Sequence, residues 1–261
     1  MPTTLAVADH LDALREGLLA FTRYADRAGL RAAVPTCPEW NVRQLVAHQG
    51  MVHRWAAGLL TGLSTDTGAL EREGRTAVDP VEWLRDGAIE LAAALTRAPE
   101  TVAAPVFLKD APAPRAFWAR RQCHETTIHA VDALAASLGV APTADQTWIG
   151  PAIALDGIDE LLCGFLPRSK STLRSDDPVT FAVRPEQGDR GWLVRVTSEP
   201  AVTSVHARDD AALDGADVQV TGEAVELYLR LWNRSPEASG TPGANVEDGM
   251  ALWHERARIT W

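Results

Sequence analysis

His48, Glu125 and His129 are the residues of this sequence best suited to chemistry. Glu125 and His129 stand in E-x-x-x-H spacing, one helical turn apart, so their side chains can converge on one point. His48 follows Leu45 by three positions and precedes Val52 by four, which puts all three on one helix face. Two imidazoles and a carboxylate can hold a zinc ion and leave its fourth position open, the pattern of a catalytic rather than a structural site. Taken singly, these residues also fit a hydrogen-bonded core histidine and a surface Glu–His pair. Together, on stripes that are otherwise small or apolar, they favour a metal. A carboxylate buried beside imidazoles is costly unless something neutralises it, and a divalent cation does. Nickel, iron or manganese would suit the same donors.

The neighbouring residues divide into ligands and bystanders. HETTIH at 124–129 resembles the zinc-protease motif H-E-x-x-H, but its histidines are five apart and face differently on a helix, so His124 falls outside the ligand set. His53 is likewise offset from His48 and is expected at the rim or in solvent. Asp132 either orients a ligand imidazole or is a solvated acid near a helix end, where the dipole disfavours it. Trp40 and Trp55 read as packing residues. Thr36 and Cys37 read as capping residues, and Cys37 has no neighbouring base in sequence to make it a nucleophile.

Long helices must position these groups. The first carries Leu11, Leu14, Leu18, Phe21 and Ala25, with Gly29 as its stop. A second is predicted from TCPEW, with Thr36 as N-cap and Glu39 completing a capping box; its stripe runs Leu45, His48, Val52, Trp55, Leu59. A third starts at Asp79-Pro80, and a fourth follows Pro114 and closes at Gly139. PETVAAPVFLKDAPAP between them is proline-broken and reads as a loop. Four such helices suggest a four-helix bundle, whose core is a common place for a metal. After about residue 150 the pattern changes. A helical piece, ALDGIDELLCGFLP, precedes four short alternating runs, VTFAVRP, GWLVRVTS, AVTSVHARD and ADVQVTG. Two helical pieces follow, AVELYLRLWNR and EDGMALWHERARITW. The predicted class is therefore α plus α+β, with a bundle over residues 1–148 and a small α+β domain over 149–261.

Bulk properties exclude some functions. The chain of 261 residues has a net charge of -10 and no basic run, so nucleic-acid binding is not expected. No apolar run approaches the roughly 20 residues that span a bilayer. The N-terminal stretch reads as an amphipathic helix, not a signal peptide. Three scattered cysteines, Cys37, Cys123 and Cys163, match neither a disulfide framework nor a metal site, which favours a reducing cytoplasm. Most of the nine tryptophans are assigned to core packing.

Three stretches, TCPEWNVRQLVAHQGMVHRW, HETTIHAVDA and GEAVELYLRLWNR, resemble the mycothiol-dependent maleylpyruvate isomerase family of actinobacteria. The resemblance implies a DinB-like metal-binding bundle followed by a C-terminal domain similar to sterol-carrier folds. It implies His48, Glu125 and His129 as ligands of a divalent metal, Zn2+ above all, and Asp132 as the family's acid after the second histidine. It also implies an arginine from the second domain, contacting substrate and cofactor; Arg234 is the match, although Asn233 stands where many relatives have glycine. A helix-end arginine facing the C-terminal dipole is the alternative account of that residue. Mycothiol would then be the thiol cosubstrate, attacking a small electrophile, with isomerisation or S-transfer as the outcome. The chain is expected to act as a monomer or homodimer. A zinc hydrolase with Asp132 as base, and a non-catalytic module whose metal is saturated by His53 or His124, are the competing readings.

Overall fold

The computed structural model describes residues 4–235 and 244–259. The chain divides into two compact units with a break between Trp148 and Ile149, Leu108–Asp110 grouping with the second. The first unit is helical and the second is mixed α+β around a four-stranded sheet.

Among the described residues the first unit contains α1 (Val7–Ala28), α2 (Val42–Thr61), α3 (Thr67–Thr76), α4 (Pro80–Arg97) and α5 (Pro114–Leu138). α1 ends at Gly29, whose φ of 80° is unfavourable for any residue with a Cβ. α5 ends at Gly139 in the left-handed region. α4 begins as predicted, with Asp79 accepting from the Val81 and Glu82 amides and Pro80 at the first helical position. Phe21, Val34, Val42, Leu45, Val46, Leu84 and Ala130 meet in the bundle core.

Two expectations about this unit are corrected. The second helix does not start at Thr36. Residues 36–40 form a turn, and the cap is Asn41, which exchanges hydrogen bonds with Gln44 in a capping box. The competing signal, N-x-x-Q, stands five residues downstream of T-x-x-E. The short helix α3 was not predicted; its polar sequence, TGALEREGRT, has no apolar stripe to reveal it. It is held through Trp83 of α4, whose Nε1 donates to Glu73 (3.0 Å). Gly50 and Gly74 leave room for that ring, since a Cβ on either would lie within 2.2 and 2.6 Å of it.

In the second unit α6 (Pro151–Asp159) runs on as a π-helical turn over Glu160–Phe165. The strands β1 (Val179–Pro185), β2 (Arg190–Val196), β3 (Val202–Ala207) and β4 (Val218–Gly222) coincide with the four alternating runs of the sequence. Their order is β3-β2-β1-β4, antiparallel except for the parallel pair β1–β4. β1 is central, and Phe181, Ala182 and Val183 are buried in it; β3 is an edge, and Val202 and Val205 are exposed there. α7 (Ala224–Leu231) and α8 (Ala244–Arg256) complete the unit. The tail of the final predicted piece, including Trp261, lies outside the described residues.

Candidate metal centre

α5 carries most of the candidate site. Every residue from Phe117 to Ala136 is buried, including Arg120, Arg121, Gln122, His124, Glu125, Thr126, His129 and Asp132. Such a helix has no solvent face, so each polar group on it needs a partner inside the protein.

The three predicted ligands come together. His48 reaches from α2, and its Nε2 lies 3.7 Å from Oε1 of Glu125. Nε2 of His129 lies 3.4 Å from the same oxygen. All three donor atoms fall within 4.8 Å of one another. Neither contact makes a hydrogen bond. The separations are close to what one ion demands, because donors about 2.1 Å from a tetrahedral zinc stand about 3.4 Å apart. His48 Nε2 and Glu125 Oε1 are also buried with no hydrogen-bond partner. Two buried atoms left so would cost about 1–3 kcal/mol each, a penalty that an ion between them removes. The residues therefore fit a divalent metal.

Asp132 is fully buried, more than a turn short of the helix end, so the solvated alternative is excluded. Its Oδ2 stands 2.9 Å from His129 Nδ1. Its Oδ1 accepts from the Thr36 hydroxyl (2.6 Å), and the Cys37 thiol donates weakly to Oδ2 (3.5 Å). This fixes the face of the imidazole: Nδ1 is turned to the acid and Nε2 to Glu125. Thr36 and Cys37 are thus not caps; the turn they lie on brings them against Asp132. Backbone bonds hold that turn, from Cys37 N–H to the Val34 carbonyl, Trp40 N–H to Cys37 and Val34 N–H to Trp40. Trp40 packs over both imidazoles, with ring centroids 4.8 Å from His48 and 5.8 Å from His129. Trp55 packs edge-on against Trp118.

The charges are coupled. Burial alone would raise the Glu125 pKa, but His129, His48 and Arg121 outweigh it and hold the carboxyl well below its usual range. Burial likewise works against a charged His129, yet Asp132 and Glu125 raise it to about 9.

His53 corrects the sequence reading: it is completely buried, not at a rim. Its Nε2 lies 2.8 Å from Gln49 Nε2 and 2.9 Å from the Thr126 hydroxyl, and burial lowers its pKa to about 3. A polar residue offset by five from another on an apolar helix looks external; Gln49 and Thr126 are the partners that keep it inside. His124 is buried too, with its ring edge-on to His10 at 6.3 Å, and neither His53 nor His124 joins the cluster of His48, Glu125 and His129. Arg121, absent from the sequence-predicted set, donates from Nη2 to Glu125 Oε2 (3.1 Å). Its i,i+4 spacing from Glu125 was the signal available.

Arg234 lies in the second unit, just past α7. Asn233 and Arg234 close that helix, with N–H bonds to the carbonyls of Arg230 (3.0 Å) and Leu229 (2.7 Å). This pairing places Asn233 at a φ of 57°, a conformation that suits glycine and that asparagine tolerates best among other residues. The Arg234 guanidinium also donates to the Trp232 carbonyl (2.9 Å).

Comparison with known proteins agrees with this architecture. One family model, the mycothiol maleylpyruvate isomerase N-terminal domain, matches residues 11–134, and a second, the MDMPI C-terminal domain, matches residues 152–254. A crystal structure of the mycothiol-dependent maleylpyruvate isomerase superposes with a TM-score of 0.58 at 17% identity, covering 90% of this chain and 93% of that one. The crystal structure of a histidine-to-alanine mutant of the enzyme gives 0.57 at 16% identity, over 89% and 92% of the two chains. At such identities the likeness is one of fold. No curated protein matches significantly.

Proposed function

The chain belongs to the mycothiol maleylpyruvate isomerase family, carrying both its N-terminal and its C-terminal domain, and from that premise we propose that it is a metal- and mycothiol-dependent isomerase or transferase. His48 Nε2, Glu125 Oε1 and His129 Nε2 are the donors proposed for the ion, with zinc the simplest fit. A divalent ion bound there supplies a Lewis-acidic corner that takes a thiol sulfur and favours its ionised form. The observation that carries this reading is the convergence of the three donor atoms, which lie within 4.8 Å of one another.

The chain's own residues do the rest. Asp132 holds His129 by Nδ1, so that Nε2 faces the cluster. Trp40 walls the two imidazoles on one side. Arg234 is the proposed partner of a substrate carboxylate and of the thiol cofactor, a role to which a guanidinium brings two parallel donors. The substrate class is a small electrophile, and the nucleophile belongs to the cofactor. The hydrolase reading is less well supported, because Asp132, the base it needs, already has both oxygens engaged by His129, Thr36 and Cys37.

The test is turnover of a cis-configured unsaturated diacid, or of an activated alkyl electrophile, with and without mycothiol. Activity should require the thiol; full turnover in its absence would sink the proposal in favour of a hydrolase. Asp132→Ala should keep its metal and lose about 10–100-fold in turnover, the usual loss when a ligand's outer partner is removed. Loss of the metal itself in that variant would place Asp132 on the ion.

A further inference from the structure

We propose that Arg121 holds Glu125 to a single ligating oxygen and thereby keeps a corner of the ion open. This rests on the metal reading above and adds to it a coordination number. The two oxygens of Glu125 have different surroundings. Oε2 accepts from Arg121 Nη2 at 3.1 Å, while Oε1 has no hydrogen bond and faces Nε2 of both His48 and His129. Arg121 is completely buried and lies one turn before Glu125 on α5, so the pairing is built into the helix.

A carboxylate can meet a cation through one oxygen or through both. Binding through both would turn Oε2 toward the ion and strain a charge-assisted bond to a buried guanidinium. It would also fill space around the ion that an incoming sulfur needs. With Oε2 held by Arg121, Oε1 is the oxygen that faces the two imidazoles. The protein then contributes two nitrogens and one oxygen, and a tetrahedral ion retains one position for a ligand from outside. Arg121 is a positioning residue, acting through the geometry of Glu125.

The experiment uses the full-length protein loaded with cobalt(II) in place of zinc. Wild type should show the intense visible bands of four-coordinate cobalt. Arg121→Met should retain cobalt but show the weak bands of a higher coordination number, with KM for mycothiol raised about tenfold and kcat changed less. Arg121→Lys should restore part of the four-coordinate spectrum. An unchanged cobalt spectrum in Arg121→Met overturns the assignment. A second measurement needs no variant: the infrared difference between metal-loaded and metal-free wild type. A wide separation of the two carboxylate stretches is the mark of one-oxygen binding and is the expected result. A narrow separation shows both oxygens on the ion and overturns the assignment even if the arginine variants fail to fold. Wild type that takes up no cobalt overturns the metal reading, and this inference with it.

Discussion

His48→Ala, Glu125→Ala and His129→Ala should each purify with little or no divalent metal, against about one ion per chain in wild type. Each substitution deletes one of the three proposed donors. The loss in affinity should therefore exceed the about 10–100-fold that follows removal of an outer partner. Elemental analysis checks this directly, with circular dichroism to show that the bundle has formed. The three variants should differ in stability. Glu125→Ala takes the carboxylate away from Arg121, which is buried beside it, and should be the least stable. Glu125→Gln keeps the shape and is the control for that loss. Equal metal content in wild type and all three alanine variants would defeat the ligand assignment.

Metal affinity should also collapse in mild acid. Against the pull of burial, Asp132 and Glu125 raise the His129 pKa to about 9. An ion can bind Nε2 only after the proton has left, so binding releases a proton throughout the range below that pKa. Affinity should fall about tenfold for each unit of pH below 9, or about a thousandfold between pH 9 and pH 6. Glu125 adds nothing to this slope, because its pKa is lowered and it is already ionised there. Competition titrations with a chelator of known affinity, run at several pH values, measure the slope. An affinity that does not change between pH 6 and pH 9 would show that His129 carries no such proton. Asp132→Asn should flatten the profile, since the amide no longer favours the charged imidazole.

The parts legible in the sequence were those with strong periodicity or strict spacing. The strands were found because alternation over five to seven residues, bounded by Gly, Asp or Pro, matches the two-residue period of a half-buried strand and no helical period. His48, Glu125 and His129 were found because they break apolar stripes at helical spacing, and the structure does bring their donor atoms together. What escaped depended on neighbours distant in sequence. Thr36 looked like a cap because a cap is the local use of threonine; its actual partner, Asp132, lies 96 positions away. His53 looked external because its partner Thr126 lies 73 positions away. An arginine on a helix is ordinarily a surface residue, so Arg121 carries no local sign of its place, and nothing local in the sequence marks α5 as buried throughout. α3 escaped for the opposite reason: it is mostly exposed, and among its residues only Gly74 is buried.

The enclosure of α5 has a consequence for how this protein can change over time. On most helices about half the positions face water and accept replacement freely, so tolerance rises and falls with the turn. From Phe117 to Ala136 that rhythm is missing, because no side chain in the stretch is outside. A survey of all single replacements along it would give an unbroken band of intolerance. Drift, and any adaptation to a new substrate, is left to positions outside this stretch.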